Sequence, residues 1–93
     1  MTATVVGMVR MPLATAGDIS PDGREIVLRS YVDVRLWRRP EGSTIDEALG
    51  AMHCRVPARG EPQGEAIAFA LDGAGYYTLS ERAAQPLWFF ARR

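Results

Sequence analysis

Residues Gly17–Tyr31, GDISPDGREIVLRSY, decide the fold. Within them Ser20-Pro21-Asp22-Gly23 is a turn. Pro21 sets φ near the value its position needs, Asp22 can bond its own backbone two residues on, and Gly23 tolerates φ > 0. The β-rich run Glu25–Tyr31 leaves the turn, so the stretch reads strand, turn, strand. The pattern returns in Gly64–Glu81, GEAIAFALDGAGYYTLSE, with Asp72-Gly73 at an offset of 50 from Asp22-Gly23. Ile19 then falls on Phe69, Ile26 on Tyr76, Val27 on Tyr77 and Ser30 on Ser80. After one inserted residue, Leu36-Trp37 falls on Leu87-Trp88. A strand-type unit repeating at this period predicts a propeller or a solenoid.

The rest of the chain fills in around the two hairpins. Thr2–Met11, TATVVGMVRM, is rich in β-branched residues and predicts a strand ended by Pro12. Gly17–Ser20 is small and apolar, as in a short strand buried on both faces. Val32–Arg38 alternates Val32, Val34 and Leu36 with Asp33, Arg35 and Trp37, the period of a half-buried strand. Thr44–Gly50 is the helical candidate. Thr44 and Glu47 have the capping-box spacing, and Gly50 suits a left-handed position after the last turn. Met52–Val56 is a further strand, and Pro57–Pro62 is a polar loop. Ala66–Ala70, Gly75–Leu79 and Leu87–Ala91 form the second set of strands.

Asp18-Ile-Ser-Pro-Asp-Gly23 with the strand Glu25–Tyr31 resembles the WD40-like, SPDG-containing repeats of the TolB type of β-propeller. The second set, Gly64-Glu-Ala-Ile-Ala68, Asp72-Gly73 and Tyr77-Thr-Leu-Ser-Glu81, carries the same likeness, with Ala70-Leu71 where Ser-Pro would stand. The resemblance covers Ala14–Ala91. It implies an all-β chain of two four-stranded antiparallel blades in permuted, partial form, with one short helix near residues 44–50. Residues 2–13 would be an outer strand of a preceding blade, 14–57 the first blade, and 64–91 an incomplete second blade. The orphan first strand and the missing last one are of the same type. Either the chain is a piece of a larger propeller, or copies exchange that strand.

Charge and composition narrow the function. Eleven basic residues balance eleven acidic ones, which removes the electrostatic case for nucleic acid or an anionic membrane surface. No apolar run reaches the roughly 20 residues of a membrane-spanning helix. One cysteine, Cys54, makes no intrachain disulfide. The default expectation is a cytoplasmic protein, or a secreted or periplasmic one if the chain is a piece.

Asp18 and Glu65 begin the two innermost strands and are the candidate channel-lining ligands. Two carboxylates are too few for Ca²⁺, so no metal is expected, and the favoured role for each is accepting backbone N–H bonds at a strand start or facing water. Arg29, in an otherwise apolar strand, is expected to pair with Asp33. His53 and Cys54 are neighbours whose side chains point to opposite faces, which does not suit a nucleophile and its base. The repeat positions of Trp37 and Trp88 point to packing between blades. Arg38-Arg39 and Arg92-Arg93 read as solvated strand ends. The composite expectation is a non-enzymatic binding or scaffold module without cofactor, taking a protein or a small polar ligand. The alternative is a fragment of a propeller-type hydrolase or lactonase-like enzyme.

Overall fold

The computed structural model describes residues 2–5, 7–11, 13–31, 33–57, 64–80 and 86–92, with the backbone alone at 64, 65 and 80. Among the described residues, seven strands and one helix follow one another: β1 (Ala14–Ile19), β2 (Glu25–Ser30), β3 (Val34–Arg38), α1 (Ile45–Leu49), β4 (Cys54–Val56), β5 (Gly64–Phe69), β6 (Gly75–Ser80) and β7 (Trp88–Ala91). They form two antiparallel sheets in simple meander order, β1-β2-β3-β4 and β5-β6-β7. Among the described residues the second sheet has three strands, the number expected of the second set, and neither sheet closes on itself.

The two hairpins agree position by position. Ile19 pairs with Ile26 and Asp18 with Val27; fifty residues on, Phe69 pairs with Tyr76 and Ala68 with Tyr77. Even the register shift between Ala14 and Ala16 recurs between Gly64 and Ala66. The turns match as well. Gly23 N–H donates to Ser20 O (2.8 Å) and Gly73 N–H to Ala70 O (3.0 Å). Asp22 Oδ1 accepts from Arg24 N–H and Asp72 Oδ1 from Ala74 N–H, each at 2.9 Å. Both glycines sit at positive φ, +74° and +73°. A branched side chain is strained there, so Gly23→Val is expected to lower the unfolding free energy by about 1–2 kcal/mol in a urea titration. A loss of only a few tenths would mean that the turn relaxes to another conformation.

Beyond the second strand the alignment changes. Trp37 pairs with Ile26, and Phe90, not Trp88, pairs with the equivalent Tyr76. Trp88 lies opposite Thr78 and so takes the place of Arg35, which lies opposite Leu28. The expected match of the two tryptophans is therefore wrong by two residues. The corrected register also makes Arg39 and Arg92 equivalent: their N–H groups donate to Arg24 O and Ala74 O, both at 2.7 Å.

Alternation along the strands gives each sheet two apolar faces. Val27, Val34, Ala16 and Val56 of the first sheet pack on Ile67, Tyr76, Phe69 and Phe90 of the second. The opposite face of the first sheet carries Ile26 and Trp37, covered by Ala48, Ile45 and Leu49 of α1 and by Val9. Each such aliphatic side chain contributes about 1.5–3 kcal/mol when fully buried. α1 is too short to persist unaided. Its capping box is complete, Thr44 and Glu47 exchanging bonds of 2.9 and 3.1 Å, and its apolar face is held by the first sheet. Gly50 ends it at φ −79°, right-handed rather than in the left-handed conformation expected.

Thr2–Met11 is not a strand among its described residues. It crosses the α1 side of the first sheet, with Val9 on the Ile26–Trp37 cluster and Arg10 O accepting from Arg35 Nη1 at 3.2 Å. β-branched residues favour a strand only where a neighbouring edge supplies hydrogen bonds, and here the arm meets a sheet face. β1 begins earlier than expected and alternates between exposed and half-buried residues, so it is not buried on both faces. Beyond Pro57, the polar loop lies outside the described residues. No helix among the described residues is long and apolar enough to cross a membrane.

Candidate binding surfaces between the two sheets

Asp18 faces the second sheet because it lies opposite Val27, whose side chain is in the shared core. Its Oδ1 accepts from Ile19 N–H and its Oδ2 from Phe69 N–H, both at 2.8 Å. The carboxylate thus staples β1 to β5, and both its oxygens are engaged by backbone. The Glu65 side chain lies outside the described residues, so the pairing of these two carboxylates has no described geometry.

A second link spans the seam at the turn end of the sheets. The Arg92 guanidinium grips the buried Glu25 carboxylate, Nη1 lying 3.3 Å from Oε2 while Nη2 bonds Oε1, and its Nε donates to Gly73 O at 3.1 Å. Arg39 repeats the last contact, Nη1 to Gly23 O at 3.1 Å. Both arginines were expected to be solvated ends. The sequence signal for their role was the repeat itself, once β7 is placed in its correct register. In the second repeat Gly75 stands where Glu25 does, and the Phe90 carbonyl leaves no room for a Cβ there. These groups border a groove of about 500 Å³ between the two turns, lined also by Asp22, Arg38 and Asp72. Hydrogen bonds from Ser20 and Arg24 N–H hold the Asp22 carboxyl below its ordinary range. Arg24 and Glu41 pair at 3.3 Å on the exposed rim, where such a pair contributes little.

A third feature lies on the other side of the seam. β3 and β4 diverge from β7 and leave a mostly apolar groove of about 610 Å³. Leu36, Cys54 and Val56 form one wall, and Tyr76, Phe89 and Phe90 the other. The Tyr76 hydroxyl donates to Pro57 O at its floor, and burial pushes that phenol up to about 12 against the weaker pull of the Arg29 charge. Arg38, Glu25 and Arg92 stand at the mouth.

Among the described residues the histidine and the cysteine lie on opposite sides of the first sheet. His53 packs against Trp37, ring centroids 5.1 Å apart, on the α1 side, while Cys54 lines the groove on the other. Among the described residues no three His, Cys, Asp or Glu side chains could hold one metal ion. Asp33, the expected partner of Arg29, is held by Arg35 at 3.0 Å and Arg55 at 3.3 Å. Arg29 donates instead from its Nη1 to Ala66 O at 3.1 Å, across the seam.

The fold and these surfaces define a mostly β chain of two stacked antiparallel sheets whose first hairpins share one register. Compared with family models, with curated proteins and with solved structures, the chain matches none.

Proposed function

We propose that the chain is a binding or scaffold module built of two propeller-type blades of the WD40-like, SPDG-containing kind, not an enzyme. One observation carries this reading: the two hairpins share register, bulge position, turn hydrogen bonds and rim arginine. A unit repeated so closely, and stacked face to face, is the way repeat proteins build extended surfaces for partners. The second sheet presents Tyr77, Leu79 and Phe89 to solvent on the face equivalent to the one by which the first sheet packs on the second. That surface suits a further repeat or a protein partner.

Two measurements test it. In hydrogen exchange, amides of β1–β3 and β5–β7 should be protected to the same free energy, because the shared core joins the two sheets into one cooperative unit. Assayed on a panel of esters and lactones, the protein should show no turnover above buffer. Turnover abolished by Asp18→Asn would replace this reading with a hydrolase.

A further inference from the structure

The two sheets differ in one respect: β4 pairs with the far edge of β3, while the far edge of β7 pairs with nothing among the described residues. Building on the blade reading above, we propose that this edge is an acceptor for the N-terminal arm of a second copy of the chain. The arm enters as the fourth strand of the second sheet.

The apolar groove lies where that strand would pack. In the first sheet, Val56 and Cys54 of β4 lie opposite Val34 and Leu36 and turn toward the second sheet. In a strand added beside β7, the side chains opposite Phe90 and Trp88 would turn toward the first sheet and enter the groove beside Val56. An unpaired strand edge next to an unfilled apolar groove is the arrangement that recruits an extended segment: main-chain bonds give affinity, and every second side chain enters a pocket.

The arm has the chemistry to fill it. Thr2–Val5 and Gly7–Met11 pair with no strand among the described residues, and Val5 and Met8 are 82% and 88% exposed. The segment is β-branched and carries one charge, Arg10. Val5 set opposite Phe90 of another copy puts its side chain into the groove. Donor and acceptor are different surfaces, so the contact is heterologous and propagates into a ring or a chain of copies.

Cys54 is the chain's only cysteine and lines the acceptor groove, so it reports on the contact. The test combines the mass in solution with cross-linking. The wild-type protein should sediment at multiples of 10.2 kDa as concentration rises. Val5→Lys places a charge in the groove and should raise the association midpoint at least about tenfold. Because Val5 is exposed, that change leaves the fold of each copy intact. Under mild oxidation Val5→Cys should form a ladder of disulfide-linked copies that disappears when Cys54→Ser is added. A protein that stays at 10.2 kDa at micromolar concentration overturns the proposal, as do copies that associate equally well with Val5→Lys. Equal hydrogen-exchange protection of the two repeats in the same sample means that strand donation alone has failed. Unequal protection means that the blade reading has failed with it.

Discussion

Arg29→Ala is expected to lower the unfolding free energy by about 3–5 kcal/mol, a large part of what a small domain has. Arg29 is 2% exposed and stands on the face of β2 that packs against the second sheet. Its Nη1 reaches Ala66 O at 3.1 Å and its Nε reaches Ser30 O at 3.4 Å. Alanine would remove these donors from the Ala66 and Ser30 carbonyls and leave a cavity the length of an arginine stem. Arg29→Met separates the two effects. It keeps much of the volume while removing the guanidinium with its charge and bonds, and should cost about 1–3 kcal/mol. Urea unfolding of the three proteins decides the matter. If Arg29→Ala stays within about 1 kcal/mol of wild type, the side chain is not a link between the sheets. The same position in the second repeat holds Leu79, 36% exposed. The polar residue occurs in the copy whose face is covered.

That contrast shows what could be read before the structure was known. The turns were legible because Asp-Gly at fixed spacing has few conformations open to it, and they anchored both hairpins. The register of β7 was not. Leu87, Trp88, Phe89 and Phe90 are all apolar, so alternation cannot say which of them face the core, and the coincidence of two Leu-Trp pairs drew the alignment two residues off. The helix was legible from Thr44 and Glu47, whose bonds are local. The arm was misread because Thr, Val and Met report strand propensity without reporting whether an edge is within reach. Of the candidate site, Asp18 accepts backbone N–H bonds near the end of β1, not at a strand start. Its partner Phe69 lies 51 residues away, and Arg92 lies 67 from Glu25. Contacts at such separations follow from how the sheets stack, which no local pattern carries.

Asp33 offers the second large effect, and it depends on pH. The residue ties three strands at the end of the first sheet away from the turns. Its Oδ1 accepts from Ser30 Oγ at 2.8 Å, and its Oδ2 accepts from Arg35 Nε of β3 at 3.0 Å and Arg55 Nη2 of β4 at 3.3 Å. Burial alone would push this carboxyl up. The hydrogen bonds from Ser30 and Arg35, with the charges of Arg35 and Arg55, outweigh it and hold the group below the ordinary aspartate value of 3.8. A group whose pKa is depressed by folding stabilises the folded state fully above its unfolded value. That contribution is lost as pH falls through the folded value. The wild-type protein should therefore keep the contribution of Asp33 at neutral pH and lose it on acidification below the ordinary aspartate range. Asp33→Asn removes the charge and weakens the bonds to both arginines, at a cost of about 2–3 kcal/mol near pH 7. Most of that comes from Ser30 and Arg35, because Arg55 is 74% exposed and its pairing is screened by water. The gap between wild type and variant should narrow as the pH falls, since both then lack the anion. Unfolding free energies measured from neutral pH into acid test this directly. A gap that stays constant would place the effect of the substitution in packing, and a gap that widens would mean that burial, not the arginines, sets the ionisation of Asp33.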